Sequence, residues 1–168
     1  MVIARSQAAM GYSIGVISDT HGLVRAEALA ALGGCRLILH AGDVGRLAVL
    51  DALRRIAPVA AVRGNVDRGG WALGLPERDT LWLDGVGIHL LHDLRGLDFD
   101  PRKAGVRAVV FGHSHRPCLE WKDGVLYFNP GSAGPRRFRL PVAVGRLNLA
   151  GGALAGELVE LAPARAGP

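Results

Sequence analysis

Short apolar runs that stop at a histidine, an aspartate or an asparagine, with helix-period stretches between them, constrain this chain more than any other feature. Tyr12 to Ile17 is the first such run and leads into Ser18-Asp19-Thr20-His21-Gly22. Leu37 to Leu39 ends in His40-Ala41-Gly42-Asp43, and Val59 to Val62 ends in Arg63-Gly64-Asn65-Val66-Asp67. Runs this short and this apolar suit buried strands of a parallel sheet. Between them, Val24 to Leu32 and Leu47 to Ile56 space apolar residues at three and four, and Gly33-Gly34 and Pro58 stop them, so both read as helices. Strand, helix, strand, helix, strand implies a parallel sheet with right-handed crossovers. Ligands bind such sheets at the carboxyl ends of the strands, where loops free of ladder hydrogen bonds present side chains into a crevice.

The second half changes character. Leu81 to Leu83 and Val86 to Leu91 flank the hairpin signal Asp84-Gly85, and the second run ends at His92-Asp93. A brief helical stretch near Pro101 to Ala104 precedes Ala108 to Phe111, which ends in Gly112-His113-Ser114-His115. Leu119 to Trp121 pairs with Val125 to Phe128 across Asp123-Gly124, and Val142 to Leu149 pairs with Ala153 to Leu161 across Ala150-Gly151-Gly152. The expectation is a second sheet made of these antiparallel hairpins and packed on the first, whose other face the helices cover.

A chain of 168 residues, 49% hydrophobic, buries one core of ordinary size. The reading is an extension over 1–11, one domain over 12–162 and a tail over 163–168. Met1 to Met10 lacks a continuous apolar core and no run approaches the ~20 residues of a membrane span, so a cytoplasmic protein without a membrane partner is expected. Cys35 and Cys118 show no metal or redox spacing and read as reduced structural thiols. A formal charge of +5, mostly arginine, favours anionic partners. Aromatics at 5% give no stacking platform for a nucleic acid, so specific nucleic-acid binding is not expected. Oligomeric state is left open, a homo-oligomer included.

Asp19, His21, Asp43, Asn65, His92, His113 and His115 are oxygen and imidazole donors, nearly all just past an apolar run. Seven donors exceed one tetrahedral ion but suit two ions sharing a carboxylate, with Asp43 as the natural bridge and open positions for water and substrate. Without thiolates the set fits manganese, iron, zinc, cobalt or nickel rather than a structural zinc.

In that order, Asp19-x-His21, Gly42-Asp43, Gly64-Asn65, His92 and Gly112-His113-x-His115 resemble the calcineurin-like metallophosphoesterase superfamily over Tyr12 to Leu161. Gly112-His113-Ser114-His115-Arg116-Pro117 and Asn129-Pro130-Gly131-Ser132 with Pro135-Arg136 are similar to its small single-domain prokaryotic phosphodiesterase branch. The resemblance implies an α/β fold, a four-layer αββα sandwich of two mixed sheets flanked by helices. It implies two divalent transition-metal ions, manganese first: Asp19, His21, Asp43 and His115 on one, and Asp43, Asn65, His92 and His113 on the other. The implied reaction is hydrolysis of a small-molecule phosphodiester, activated or of cyclic-nucleotide type, by a hydroxide between the ions, with Asn65, His92 and His113 bonding the phosphoryl group. The alternatives are a phosphomonoesterase or a catalytically weak protein-binding scaffold of the same fold.

Val66 stands where many relatives have an acid-base histidine, and Leu91-His92-Asp93 departs from the family's usual His-Gly. Asp93 reads as a turn residue before an imidazole-orienting one. His40, Arg63 and Arg136 are candidate substrate contacts; the bland readings are a hydrogen-bonded strand-end histidine and solvated loop arginines. His89 lies three residues before His92 in a strand, hence on the opposite face, and reads as structural. Trp71 either walls the pocket or covers the core.

Overall fold

A computed structural model describes residues 10–162. The expected tail, and the expected extension apart from Met10 and Gly11, lie outside the described residues. The elements run β1 (Tyr12–Ile17), α1 (Ala26–Ala31), β2 (Leu37–His40), α2 (Leu47–Arg54), β3 (Val59–Ala61), β4 (Arg78–Leu83), β5 (Val86–Leu91), β6 (Val106–Val110), β7 (Cys118–Lys122), β8 (Val125–Asn129), β9 (Ala143–Ala150) and β10 (Ala153–Glu160). No helix among them is long and apolar enough to cross a membrane.

Two five-stranded mixed sheets face each other, ordered β10-β9-β1-β2-β3 and β4-β5-β6-β8-β7. β1, β2 and β3 run parallel, as do β5, β6 and β8, and the pairs β10-β9, β9-β1, β4-β5 and β7-β8 are antiparallel. Alternation along each strand sorts side chains between two sides. Ile14, Val16, Leu39 and Leu147 from one sheet meet Ile88, Leu90, Val110 and Phe128 from the other. Each side chain buried in this way contributes roughly 1.5–3 kcal/mol. Ile17, Ile38 and Val144 point the other way, onto Ala28 and Leu32 of the α1 region and Val49, Leu50 and Leu53 of α2. On the far face of the second sheet, the covering layer is Leu94, Leu97 and Phe99, a loop with one 3-10 turn at Leu94–Gly96.

Three expectations are corrected. The hairpin β9-β10 joins the first sheet beside β1 rather than the second, because alternation reveals a hairpin but not the edge that accepts it. The second sheet is not purely antiparallel, as its hairpins alone suggest, but mixed, with β6 parallel to both neighbours, in agreement with the two mixed sheets that the resemblance implies. The stretch at Pro101 to Ala104 is a turn that Val106 N–H closes on the Pro101 carbonyl at 2.8 Å; so few residues do not repay helix nucleation.

Candidate metal centre

The carboxyl ends of β1, β2, β3, β5 and β6 come to one edge of the sandwich, and every donor singled out above follows one of them. Asp19, His21, Asp43, His113 and His115 all hold positive φ, between 47° and 68°. A left-handed residue other than glycine is costly and persists where the surroundings over-determine it, as at functional sites. Backbone bonds supply that determination: Asp19 N–H donates to Gly42 O at 3.0 Å, His21 N–H to Asp43 O at 2.9 Å, and Gly112 N–H to His92 O at 2.9 Å. Glycine at 64 and 112 is a steric requirement, since a Cβ there would strike Asp43 and the Ser18 hydroxyl respectively.

Two triads of donor atoms form, Asp19 with His21 and His115, and Asp19 with Asp43 and His92. Asp43 Oδ2 lies 3.3 Å from His92 Nε2 and 3.8 Å from His21 Nε2. His115 Nε2 lies 3.3 Å from Asp19 Oδ1 and 3.3 Å from His21 Nε2. His113 stands beside His92, ring centroids 5.3 Å apart, with Nε2 3.4 Å from Arg95 Nη2 and 3.8 Å from Asp93 Oδ2. Asn65 is exposed and faces a cleft of about 270 Å³ that Arg63, Arg78, His92 and Asp93 also line. Thus Asp19, His21 and His115 of the first expected set converge, with Asp43 Oδ2 3.8 Å from His21; of the second, Asp43 meets His92, His113 packs its ring on His92, and Asn65 lines the adjoining cleft.

In Asp19, Asp43 and His92 the protein engages the far atom by hydrogen bonds and turns the near one to the centre. Ser18 Oγ at 2.7 Å and His113 N–H at 3.2 Å donate to Asp19 Oδ2, while buried Oδ1 has no partner among the described residues. Val66 N–H donates to Asp43 Oδ1 at 3.1 Å, leaving Oδ2 inward. His92 Nδ1–H donates to the Ala41 carbonyl at 2.7 Å, which puts the lone pair on Nε2, also unpartnered. Asp19 Oδ1, Asp43 Oδ2 and His92 Nε2 therefore converge on one centre, where a cation can take the place of the proton that His92 and Asp43 otherwise share, so the donor set fits divalent metal.

The titration behaviour matches this crowding. Burial raises the Asp19 carboxyl to about 6 against the Ser18 hydrogen bond, which lowers it. Burial also pushes Asp43 up, but His92 and the Val66 N–H outweigh it and hold the group down at about 2. Burial lowers His115 to about 4, with the Arg137 charge next in effect. For His92, burial lowers the pKa and Asp43 more than offsets it.

His40 is corrected. It is fully buried, its Nδ1 accepts Gly42 N–H at 3.2 Å and its Nε2 faces Thr20 Oγ1 at 2.9 Å, which in turn donates to Val44 O at 2.9 Å. The chain of bonds makes it a neutral Nε2–H clasp between two ligand loops, out of reach of substrate. Arg136 lines a hollow with Arg25 and Glu160, and its neighbour Arg137 carries the charge that lowers the His21 and His115 pKa values. Arg63 borders the cleft and holds Glu77 at 2.7 Å. Asp93 accepts from Arg95 N–H at 3.0 Å and from its guanidinium at 2.6 Å, combining a turn role with contact to the histidine edge. Trp71 packs on the helix-side core, and His89 sits on the far face against Phe99, bonded to Thr80 at 2.8 Å.

Sequence reasoning missed Asp67. Its buried carboxylate accepts N–H groups of Gly64 at 2.7 Å, Gly45 at 2.8 Å and Val44 at 3.1 Å, tying the Asp43 loop to the Asn65 loop. A carboxylate three residues past a glycine within a turn was its only signal.

Residues 12–152 match the family model described as the calcineurin-like phosphoesterase superfamily domain. A probable metallophosphoesterase of Methanocaldococcus jannaschii is 35% identical over 132 residues, 71% of this chain and 67% of the relative. Among solved structures, a novel archaeal phosphodiesterase superposes with a TM-score of 0.74 at 21% identity, over 88% of this chain and 99% of that one. Vps29 of Chaetomium thermophilum superposes with a TM-score of 0.72 at 21% identity, over 90% and 100%. At those identities the two structures speak to the fold alone.

Proposed function

The chain belongs to the calcineurin-like phosphoesterase superfamily, and from that premise we propose that it is a phosphodiesterase working with two divalent transition-metal ions, manganese the first to test. The observation that carries the reading is the pair of buried atoms Asp19 Oδ1 and His92 Nε2, without hydrogen-bond partners among the described residues, at one sheet edge where Asp43 Oδ2 lies 3.3 Å from His92 Nε2. Asp19, His21, Asp43 and His115 would hold one ion, and Asp43, Asn65, His92 and His113 the other. Bound ions there supply a water activated near neutral pH and neutralise charge on the phosphoryl oxygens. The Asn65 amide N–H, on the cleft side, would bond a phosphoryl oxygen. Arg63 meets the substrate anion by giving up Glu77, an exposed partner whose surface ion pair is weak.

Val66 decides the substrate class. It is 45% exposed beside Asn65 and has no proton to give, and general-acid assistance is worth roughly 10²- to 10⁴-fold. Esters with good leaving groups, aryl diesters and strained 2′,3′-cyclic nucleotides, lose least by its absence. Hydrolysis of aryl phosphodiesters of graded leaving-group pKa by metal-loaded protein tests this: rates should rise steeply as leaving-group pKa falls, and less steeply in Val66→His. A flat dependence in the wild type sinks the argument. The likeness to Vps29 favours a second reading, a protein-binding scaffold; metal-loaded protein that hydrolyses no phosphoester at all would favour it.

A further inference from the structure

Phe138 is the most exposed large apolar residue after the strands begin, 93% accessible, and it holds φ +54°. Its place is the tip of a turn that Leu140 N–H closes on Arg137 O at 3.2 Å. Glycine, asparagine and aspartate dominate turns with a positive φ at that position. A bulky aromatic there is costly, and no burial offsets it. Three arginines, Arg136, Arg137 and Arg139, surround it in sequence.

The root of this loop is bolted to the first ligand loop. Ser132 Oγ donates to Asp19 O at 3.0 Å, Ala133 N–H donates to Ser18 O at 3.1 Å, and Arg25 Nη2 donates to Gly134 O at 3.0 Å. Arg137 follows Gly134 by three residues, and a Cβ on Gly134 would strike the Asp19 and Thr20 carbonyls. The loop therefore carries an exposed aromatic face and cationic donors beside the first ligand loop, unlike the cleft, whose lining holds no phenylalanine, tyrosine or tryptophan.

We propose that the Arg137–Leu140 turn is a base-recognition site in which Phe138 stacks on the nucleobase of a nucleotide-type phosphoester and Arg137 meets its phosphate. This rests on the phosphodiesterase reading above and narrows its substrates to those bearing a base. Stacking on an aromatic side chain is worth about five- to a hundred-fold in binding and tolerates any base, because every base has a π-face. A membrane-seeking tip would share the aromatic and the arginines but has no need of a root fixed to Asp19.

The probes are adenosine 5′-monophosphate and ribose 5-phosphate, which differ only in the base. With metal-loaded protein, the first should inhibit aryl phosphodiester hydrolysis at a concentration about five- to a hundred-fold lower than the second. Phe138→Asn should abolish that ratio while raising the thermal midpoint by about 2–4 °C, since asparagine accepts the turn; Phe138→Trp should keep it. Phe138→Trp also gives a readout free of turnover, a fluorescence quench by adenosine 5′-monophosphate and not by ribose 5-phosphate, beyond that of Trp71, Trp82 and Trp121. That quench in a protein inactive on diesters would support the site and count against the reaction. Equal binding of the two phosphates by wild type, or an unchanged ratio in Phe138→Asn, overturns the proposal. Binding to anionic vesicles that Phe138→Asn abolishes, together with equal binding of the two phosphates, overturns it in favour of a lipid surface.

Discussion

Asp43 Oδ2 lies between one histidine of each pair, and that position makes it the bridge we propose. Asp43→Asn should therefore lower bound metal at both sites and remove activity, whereas His92→Ala should spare one ion; elemental analysis of the purified variants decides, and wild-type metal content in Asp43→Asn would end the assignment. Asp67 works one step back, through three backbone N–H groups. An unsatisfied buried donor costs about 1–3 kcal/mol, so Asp67→Ala should lose several kcal/mol in denaturant unfolding as well as metal affinity. His40 supplies a pH signature. Burial lowers it to about 4 in the folded state against 6.5, so as pH falls the unfolded chain takes up the proton first and stability drops between 6.5 and about 4, by about 3 kcal/mol. Unfolding curves at pH 7 and pH 4.5 should show that loss in the wild type and a smaller one in His40→Gln. Neither the Asp67 clamp nor the choice of Arg137 over Arg136 was legible in the sequence, because a single acidic or basic letter in a loop does not say which way it points.

The ligand loops are short, and their geometry comes from the strands they leave. Gly112 follows β6 and lies against Ser18 and Asp19 after β1, so the two sheets touch at their metal-bearing ends through a residue without a side chain. Gly112→Ala places a methyl group 2.6 Å from Asp19 Oδ2 and should lower both metal content and thermal midpoint; an unchanged circular-dichroism melt and normal metal binding would show that the contact is slack. The strands were legible because continuous apolar runs bounded by turn residues leave few alternatives. Helix ends were less so: the stretch read as Val24 to Leu32 is helical only over Ala26–Ala31, where neither end has a side-chain cap to mark it. The turn at 101–105 was misread for want of length.

Across the whole molecule, two sheets bring the buried carboxylates Asp19 and Asp43 to one edge beside the imidazole of His92. Without ions, Asp19 titrates at about 6; the folded state holds that proton more tightly than the unfolded one, so stability falls as pH rises from about 4 to 6 and stays low above. Ions need the ionised carboxylate. Adding manganese to chelator-treated protein should thus raise the melting temperature more at pH 7.5 than at pH 5, and equal shifts at both would separate the ions from Asp19. Residue types at strand ends, with their spacing, were enough to name the family and to single out a donor set that fits metal, because imidazole and carboxylate donors after buried strands have few other uses in such number. Pairing belonged to the tertiary structure. Which sheet takes β9 and β10, which atom of each ligand is left bare, and that His40 is sealed inside while Phe138 stands outside, all depend on contacts between residues far apart in the chain, and local periodicity carries no information about those.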